Sequence, residues 1–423
     1  MPRVCSVRIM RRPTLAAFAA LPVVLVCHVA SAEEAESPTA RVYGFLRPVA
    51  NFSVGALESF SQANASAPTA AGNEAYALNP TDSRLTMQVA QSRIGLWIHE
   101  QAPVRGHLEF DFIDFTRSTP TVASLPRVRI AAIEWTASER VTFVAGQDWD
   151  LVQPIMPHGL NFVGGLFQAG NTGFMRQQAR VLVKDGDVEY GVAVAMPGVN
   201  ASAREGSLEL ASLPMGELRV QLGLGAAGRV GASAFAAPLV FRAGASDEAR
   251  TIAALAGVYG DVTFAGVNAR FEGYAAQNGA NTASLGLSQG RAAAGANTVD
   301  VREAGGYLSV KGALDDAFAL YAQGGFAAVL NPEDVAASYG YAGTVDAANP
   351  PAVGSGVLTS TGPGLRWNLA TRAGIEWKAH PQLAFAAEGF FYRSRLTLQR
   401  IDEDRVRPIA QAVGGEIGAV YTF

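Results

Sequence analysis

Arginines at alternate positions offer the most specific chemistry in this sequence. Arg176, Gln178 and Arg180 alternate within residues 174–185. Successive side chains of a β-strand point to opposite faces, so these three side chains share one face of an extended chain. A guanidinium keeps its charge and presents a rigid fork of donors that matches carboxylates and phosphates. The spacing therefore predicts a surface that attracts small anions without any covalent step.

Other charged side chains fall on the corresponding face of their own segments. The bases in this set are Arg93, Arg127, Arg129, Arg219, Arg270, Arg366 and Arg372. The acids that would face them are Glu109, Asp111, Glu217, Glu272 and Glu388. Rings of arginine select anions in pores, so one interpretation is an anion-selecting constriction inside a barrel. The other is the ordinary charged, solvated interior of any wide barrel.

Residues 148–173 form a long connection that is apolar for an exposed loop. Asp148 and Asp150 stand at its start, and Leu151 and Ile155 are among its large apolar side chains. Apolar side chains favour burial, so we expect this loop, the third long one, to fold into the barrel and narrow it. Its two acids would then face the arginines. Packing of the loop at a subunit interface is the alternative.

Patterns for catalysis or metal binding are weak. No histidine among His99, His107, His158 and His380 has a serine and an acid at a recognisable spacing, although a triad is a spatial arrangement. Residues 223–228 match a dinucleotide fingerprint but join two predicted strands and open no helix. We therefore predict neither an enzyme nor a cofactor or metal site.

The N-terminus resembles a cleaved export signal. Arginines at positions 3–12 precede an apolar run at 15–26, and Ala30-Ser31-Ala32 forms an A-x-A cleavage site. We expect residues 1–32 to be a signal peptide for export through the inner membrane, and residues 33–40 to be a short periplasmic segment before a barrel at 41–423. The apolar run is too short for a spanning helix.

Composition limits the possible partners. Removal of the predicted signal leaves 423 − 32 = 391 residues, with 33 − 4 = 29 basic against 37 acidic residues, a net charge of −8. This balance does not suggest a nucleic-acid partner. Both cysteines, Cys5 and Cys27, lie in the removed segment, so the processed chain would have no thiol. The preference for arginine over lysine also fits a GC-rich genome.

Alternating segments recur along the whole chain, and short and long connections alternate between them. The predicted strands are 41–54, 84–99, 104–116, 126–137, 139–147, 174–185, 187–196, 215–225, 228–241, 248–259, 262–275, 301–312, 316–330, 364–379, 382–398 and 408–423. Gly260-Asp261 is among the predicted turns, because Gly-Asp is a tight-hairpin dipeptide. We predict an all-β fold, a transmembrane antiparallel barrel of about sixteen strands with short periplasmic turns and long extracellular loops.

Two aromatic features fit a lipid-facing wall. Trp367 and Trp377 are ten residues apart on the apolar face of one strand, a spacing of roughly 25 Å at the usual strand tilt. They would lie in the two interfacial girdles. Tyr421 and the terminal Phe423 resemble the closing strand of outer-membrane barrels, where this ending is the signal to the barrel assembly machinery.

Alternation is poor in 126–137 and 316–330, and the faces of 84–99 are not assigned. Such strands could face a neighbouring subunit. The loops 276–300 and 331–363 are rich in Ala, Gly, Ser and Asn and are interpreted as surface loops without readable chemistry.

Four short motifs in order resemble the DcaP family of trimeric outer-membrane porins. They are Val42-Tyr43-Gly44-Phe45-Leu46-Arg47, Gln91-Ser92-Arg93-Ile94-Gly95, Gly146-Gln147-Asp148-Trp149 and Arg176-Gln177-Gln178-Ala179-Arg180. The resemblance implies a sixteen-stranded barrel, a homotrimer, and diffusion of small anions such as dicarboxylates. By position it implies a pore-lining role for Arg93, Arg127, Arg129, Arg176 and Arg180. The periplasmic coiled-coil extension of that family has no counterpart in residues 33–40.

The sequence therefore predicts a passive diffusion channel for ions and small anionic solutes, embedded in outer-membrane lipid. Three alternatives stay open. A barrel-embedded lipid hydrolase would need one essential serine and one essential histidine. A structural or adhesive barrel would have a filled interior and no conductance. A soluble secreted β-protein would not depend on detergent for solubility.

Overall fold

The computed structural model describes most of the strand-forming part of the chain. The described residues are 39–55, 83–113, 125–152, 154–161, 165–197, 207–210, 213–243, 247–282, 286–292, 297–338, 365–396 and 409–423. All of them belong to one compact unit, Thr39–Phe423. Within these ranges, no helix is long and apolar enough to cross a membrane.

Sixteen antiparallel strands close into a barrel, which confirms the predicted fold class. In chain order they are β1 (Ala40–Leu46 and Val49–Gly55), β2 (Ser83–Gln88 and Arg93–Ile98), β3 (Val104–Asp111), β4 (Arg127–Ser138), β5 (Val141–Trp149), β6 (Met175–Asp185), β7 (Val188–Ala195), β8 (Ser207–Leu210 and Met215–Gly223), β9 (Gly228–Ala243), β10 (Asp247–Phe264), β11 (Val267–Gln277), β12 (Arg302–Ala313), β13 (Phe318–Val329), β14 (Leu365–His380), β15 (Leu383–Leu396) and β16 (Ile409–Thr422). Each strand pairs with its neighbour in sequence, and β1 pairs with β16 to close the barrel.

Short elements lie in the described connections. A 3-10 turn, Gly225–Ala227, joins β8 to β9, and another, Gly279–Thr282, follows β11. Helix α1, Pro332–Ser338, follows β13. A separate two-stranded pair, Arg291–Ala292 with Thr298–Val299, lies before β12.

The predicted turn at Gly260-Asp261 is wrong. Strand β10 continues through both residues to Phe264, and the chain reverses at Ala265 and Gly266, which have φ angles of 49° and 81°. Gly260 instead faces Phe271 on β11, and a side chain at Gly260 would overlap that ring. The glycine is therefore needed for cross-strand packing.

Two irregularities explain the failed alternation in 126–137 and in 84–99. On β4, Glu109 pairs with Ile130 while Phe110 pairs with Val128, so a bulge at Arg129 shifts the pattern. On β2, a tight turn in which the Ser92 N–H donates to the Val89 carbonyl interrupts the strand. Outward residues are odd-numbered before that turn and even-numbered after it, since Leu85, Met87 and Ile94 are all exposed.

The regular strands separate an apolar outer face from a packed inner face. On β8, Leu218, Val220 and Leu222 are exposed on the outside, whereas Glu217 is buried on the inside. On β14, Trp367 and Trp377 do share the outer face; Trp377 stacks between Phe318 and Phe385 at ring-centroid distances of 6.2 and 5.5 Å. An apolar outer face and a polar inner face are the pattern of an outer-membrane barrel.

Aromatic rings inside the barrel lie flat on glycines of the neighbouring strand. At each of these glycines an added Cβ would overlap the ring that is directly opposite in the sheet register. The pairs are Tyr43 on Gly95, Tyr259 on Gly231, Tyr321 on Gly374 and Phe390 on Gly414. Such pairs recover the packing that a strand glycine lacks.

Candidate functional site

The described residues of the third loop between β5 and β6, which are 150–152, 154–161 and 165–174, contact the inside of the barrel. Three of its backbone N–H groups donate to wall carboxylates: Leu151 to Glu217 at 2.7 Å, Ile155 to Glu272 at 2.9 Å, and Leu160 to Glu388 at 3.3 Å. These acceptors belong to β8, β11 and β15, which are far apart around the wall. The described part of the loop is therefore hydrogen-bonded to three separated strands of the inner wall.

The far end of the loop sits in a notch made by glycines. Gly170 has a φ of 97°, and a side chain there would overlap the carbonyl of Gly306 on β12. A side chain at Gly325 on β13 would overlap the carbonyl of Ala169. The loop backbone thus lies directly against the barrel wall, which explains why the inner position 325 of β13 is a glycine.

An arginine-bearing wall, formed by Arg93, Arg127, Arg129 and Arg180 on β2, β4 and β6, lies on one side of the interior. Arg127 donates to both carboxylate oxygens of Asp111 at 2.9 and 2.6 Å. Arg129 donates to Glu109 at 2.7 Å and to Asp111 at 2.9 Å. Arg180 donates to Asp148, and the Arg93 guanidinium lies 5.4 Å from the Phe45 ring centroid.

Three guanidinium groups of this wall pair with three carboxylates: Arg127, Arg129 and Arg180 lie against Glu109, Asp111 and Asp148. The three bases differ in exposure, since the side chain of Arg127 is 25% exposed, that of Arg180 13% and that of Arg129 1%. Of these paired bases, Arg127 and Arg180 are therefore the ones that are most accessible.

Arg176 lies in a buried environment and does not belong to the arginine-bearing wall. Its side chain is 2% exposed and pairs with Asp150 at 2.5 and 2.9 Å. It also donates to the carbonyls of Met196 and Thr282, both at 3.0 Å. Gln178 is buried too and donates to the carbonyls of Asp148 and Trp149. Arg176 thus joins the third loop to residues 196 and 282, Gln178 binds the end of β5, and both side chains are buried.

The remaining predicted pore residues are distributed around the barrel, each with an acidic partner. Arg219 pairs with Glu189 at 2.7 Å, Arg270 with Asp261 at 3.3 Å, and Arg366 with Glu333 at 3.1 Å. Arg372 is 0% exposed and pairs with Glu388 and with Glu416, the latter at 3.0 Å. None of these four arginines joins the arginine-bearing wall.

Sequence reasoning missed two features. Arg47, at the break within β1, is fully buried and lies 3.6 Å from Glu416; its position before Pro48 was the available signal. The interpretation of 276–300 as a surface loop is wrong for its described residues, because Thr282 and Leu287 are buried. The Leu287 N–H donates to Glu303 at 2.7 Å, so this loop also packs inside the mouth.

His158 of the third loop gives the interior a pH-dependent contact. Its Nε2 donates to Asn268 at 2.8 Å, and its N–H donates to Ser309 at 2.9 Å. Burial, followed by repulsion from Arg270, lowers the pKa of His158 from 6.5 to about 4. The neutral ring is therefore the form that the folded loop holds.

This lowered pKa predicts a stability loss in acid. The contribution of His158 is complete above pH 6.5 and is lost as the pH falls toward 4, because the unfolded chain takes up the proton first. We expect the wild-type free energy of unfolding to fall more over this range than that of His158→Gln. Denaturant titrations at several pH values check this, and parallel curves would contradict it.

Metal binding has no support in the described part of the chain, where no three His, Cys, Asp or Glu side chains are placed to hold an ion. Comparison with protein-family models gives no match, and neither does comparison with curated proteins.

Solved structures with the same fold are outer-membrane proteins. The outer membrane channel DcaP of Acinetobacter baumannii aligns with a TM-score of 0.69 at 14% identity, over 91% of this chain and 97% of that chain. OprB of Pseudomonas putida aligns with a TM-score of 0.51 at 10% identity, over 90% and 94%. The trimer form of OmpT, an outer membrane protein of Vibrio cholerae, aligns with a TM-score of 0.50 at 14% identity, over 92% and 100%.

The chain therefore has the fold of a porin-type outer-membrane barrel. At these identities the likeness concerns the fold alone. The DcaP-like architecture that the ordered motifs indicated is confirmed at that level.

Proposed function

We propose that this protein is a passive outer-membrane porin through which small, net anionic solutes such as dicarboxylates diffuse. The observation that carries the proposal is the arginine-bearing wall, in which the side chains of Arg127 and Arg180 stay 25% and 13% exposed. In a narrow interior, exposed guanidinium groups raise the local concentration of anions.

The third loop supplies the narrowing. Its anchors on Glu217, Glu272 and Glu388 fix it across the interior, and wall acids used in this way are no longer free to attract cations. Solutes would pass between the loop and the arginine-bearing wall. Size exclusion and charge then set selectivity, with no turnover, cofactor or energy source.

The cellular context forms part of the proposal. We propose export with cleavage after Ala32, which lies outside the described residues, insertion by the barrel assembly machinery, and a homotrimer in outer-membrane lipid. The described end of the chain supports the assembly signal, because Tyr421 and Phe423 are exposed and the Phe423 N–H donates to Gly44 across the seam. Trp367 and Trp377 would serve as girdle residues.

Replacing both Arg127 and Arg180 with glutamine should shift selectivity from anions toward cations. The two changes remove two positive charges while Asp111 and Asp148 remain, so the charge of the wall becomes more negative by two. One charge at a few ångströms in water changes an ion's energy by about 1 kcal/mol, or roughly fivefold in concentration. The reversal potential of the reconstituted channel under a salt gradient measures the shift.

The matched control is Arg219→Gln with its partner change Glu189→Gln, which preserves the charge of the interior. We expect its reversal potential to equal that of the wild type. An unchanged potential in the Arg127 and Arg180 double variant would refute the arginine-bearing wall as the selective element.

One observation favours the filled-barrel alternative. Phe235, Ala237 and Leu239 alternate onto the inner face of β9 and are buried there in an apolar cluster with Met215. If such packing extended across the whole interior, the protein would be structural and would show no discrete conductance steps. The same bilayer measurement separates the two functions.

A further inference from the structure

Two arginines face outward at the extracellular end of β15. Arg393 and Arg395 alternate with the buried Tyr392 and Ser394, so their side chains point away from the interior. Arg393 is exposed and Arg395 is partly exposed. Strand β15 ends there at a long connection, and the long connections lie on the extracellular side. The outer wall therefore carries positive charge near its extracellular rim.

No described acid shares this part of the outer wall. In the sheet register Arg395 lies between Trp367 of β14 and Ile409 of β16, and the residues beside Arg393 are likewise uncharged. The described acids of β14, β15 and β16 all occupy inner positions. Among the described residues, no carboxylate pairs with either guanidinium group. The two positive charges are thus left for a ligand that comes from outside the chain.

The depth of this arginine pair follows from the tryptophans of β14. Trp367 and Trp377 lie on the same outer face, about 25 Å apart in height at the usual rise and tilt. Trp377 is close to the short turn after His380, so Trp367 marks the extracellular boundary of the lipid-facing band. Arg395 is directly beside Trp367, and Arg393 is two residues lower. Arginine side chains extend toward a polar boundary, so both guanidinium groups can reach the headgroups of the outer leaflet.

The periplasmic rim has a different balance of charge. Arg140 pairs there with Asp185 at 3.6 Å, and their side chains are 75% and 72% exposed. Lys184 is exposed beside them. Bases and acids are mixed at this rim, whereas the described outer face of β14–β16 presents bases alone at the extracellular rim.

A phosphate is the anion that suits the arginine pair. A guanidinium group donates two parallel hydrogen bonds to a phosphate, and the two side chains project from one face about 7 Å apart. Glycolipids with phosphate on their headgroups form the extracellular leaflet of bacterial outer membranes. Below the arginines, Phe391 and Val413 pair across β15 and β16 on the outer face. This apolar surface is suited to an acyl chain and not to a free phosphate ion.

We propose that Arg393 and Arg395 bind the phosphate of a glycolipid in the extracellular leaflet, with its acyl chains on the apolar wall beneath. The site is on the outside of the barrel, separate from the diffusion path. It therefore goes beyond the function proposed above and does not depend on it.

Titration of the detergent-purified protein with diphosphorylated lipid A, followed by native mass spectrometry, tests this site. We expect Arg393→Gln combined with Arg395→Gln to bind the lipid roughly 25-fold more weakly than the wild type, because each basic residue near an anionic membrane surface contributes about fivefold. Dephosphorylated lipid A should bind the wild type and the variant equally. The matched control is Arg140→Gln with Lys184→Gln, which removes the same charge at the periplasmic rim and should bind like the wild type.

Arg393→Lys with Arg395→Lys separates loss of the site from loss of folding. It keeps both charges and should bind lipid A more tightly than the glutamine variant, while heat-modified migration on gels reports folding of both. Equal binding of lipid A by the wild type and the glutamine variant would overturn the inference.

Two further outcomes would also overturn it. An equal loss in the periplasmic control would reduce the effect to net charge. Binding of inorganic phosphate as tightly as lipid A would assign the arginines to free phosphate. Single-channel conductance is measured separately on the same preparations, so failure of this site and failure of the channel proposal are distinguishable.

Discussion

Replacing Arg372 with alanine is expected to lower the free energy of unfolding by about 3–5 kcal/mol. The side chain is 0% exposed and pairs with Glu388 and Glu416, while the Tyr392 hydroxyl accepts from it. Its removal leaves Glu388 buried without this base and Glu416 with Arg47 at 3.6 Å, which is the costly way to break a buried ion pair. Urea titration of the refolded barrel, followed by tryptophan fluorescence, measures the loss.

Two variants show whether the loss arises from the stranded carboxylates. Arg219→Ala removes a more exposed base with one partner, Glu189, and should cost no more than about 1 kcal/mol. Adding Glu388→Gln and Glu416→Gln to Arg372→Ala should recover part of the lost stability. If Arg372→Ala and Arg219→Ala lowered the free energy of unfolding equally, the buried charge network would contribute no more to stability than the more exposed ion pair.

Replacing Gly170 with valine should release the third loop and raise single-channel conductance. The new side chain would overlap the Gly306 carbonyl, at a cost of about 1–3 kcal/mol. The φ of 97° adds about 1–3 kcal/mol for a residue other than glycine. The wall belongs to a continuous sheet, so we expect the loop to leave its notch while the barrel stays closed. Planar-bilayer recording measures the conductance.

Gly266→Val is the matched control for this variant. Gly266 also has a left-handed backbone, with φ of 81°, but nothing lies within 4 Å of an added Cβ there. Gly266→Val should be destabilised by backbone strain but should leave the single-channel conductance unchanged. Unaltered conductance in Gly170→Val, with the protein folded, would mean that the notch does not hold the loop.

Strand order and strand number were predictable because each regular strand carries its own alternation. The outward face of β14, with Trp367 and Trp377, is legible from sequence alone. Alternation failed where the backbone departs from a simple strand, at the β4 bulge and the β2 turn, since one added residue reverses every face that follows. Gly260 shows a second limit of prediction from sequence. A glycine that packs against an aromatic ring of the neighbouring strand cannot be distinguished by sequence from a turn glycine.

For the candidate site, the sequence predicted which face of its strand a residue occupies, but not which residue it pairs with. Alternation places Arg180 and Arg176 inward equally well, yet the Arg180 side chain is 13% exposed and that of Arg176 is buried against Asp150. That difference depends on where the third loop and residues 278–292 fold, which contacts distant in sequence decide. Charge pairs such as Arg372 with Glu416 are of the same kind, since they join β14 to β16, whose relative position depends on the sheet register across β15.

The rings that lie on glycines also act as a check on strand alignment. Tyr321 fits opposite Gly374, but a slip of two residues would place it against Arg372 or Glu376, where no space for a flat ring exists. A slip of one residue would turn the ring toward lipid. Such pairs join several neighbouring strands around the wall. A strand that pairs in the wrong register during assembly therefore meets a steric penalty, so the glycines favour correct strand alignment.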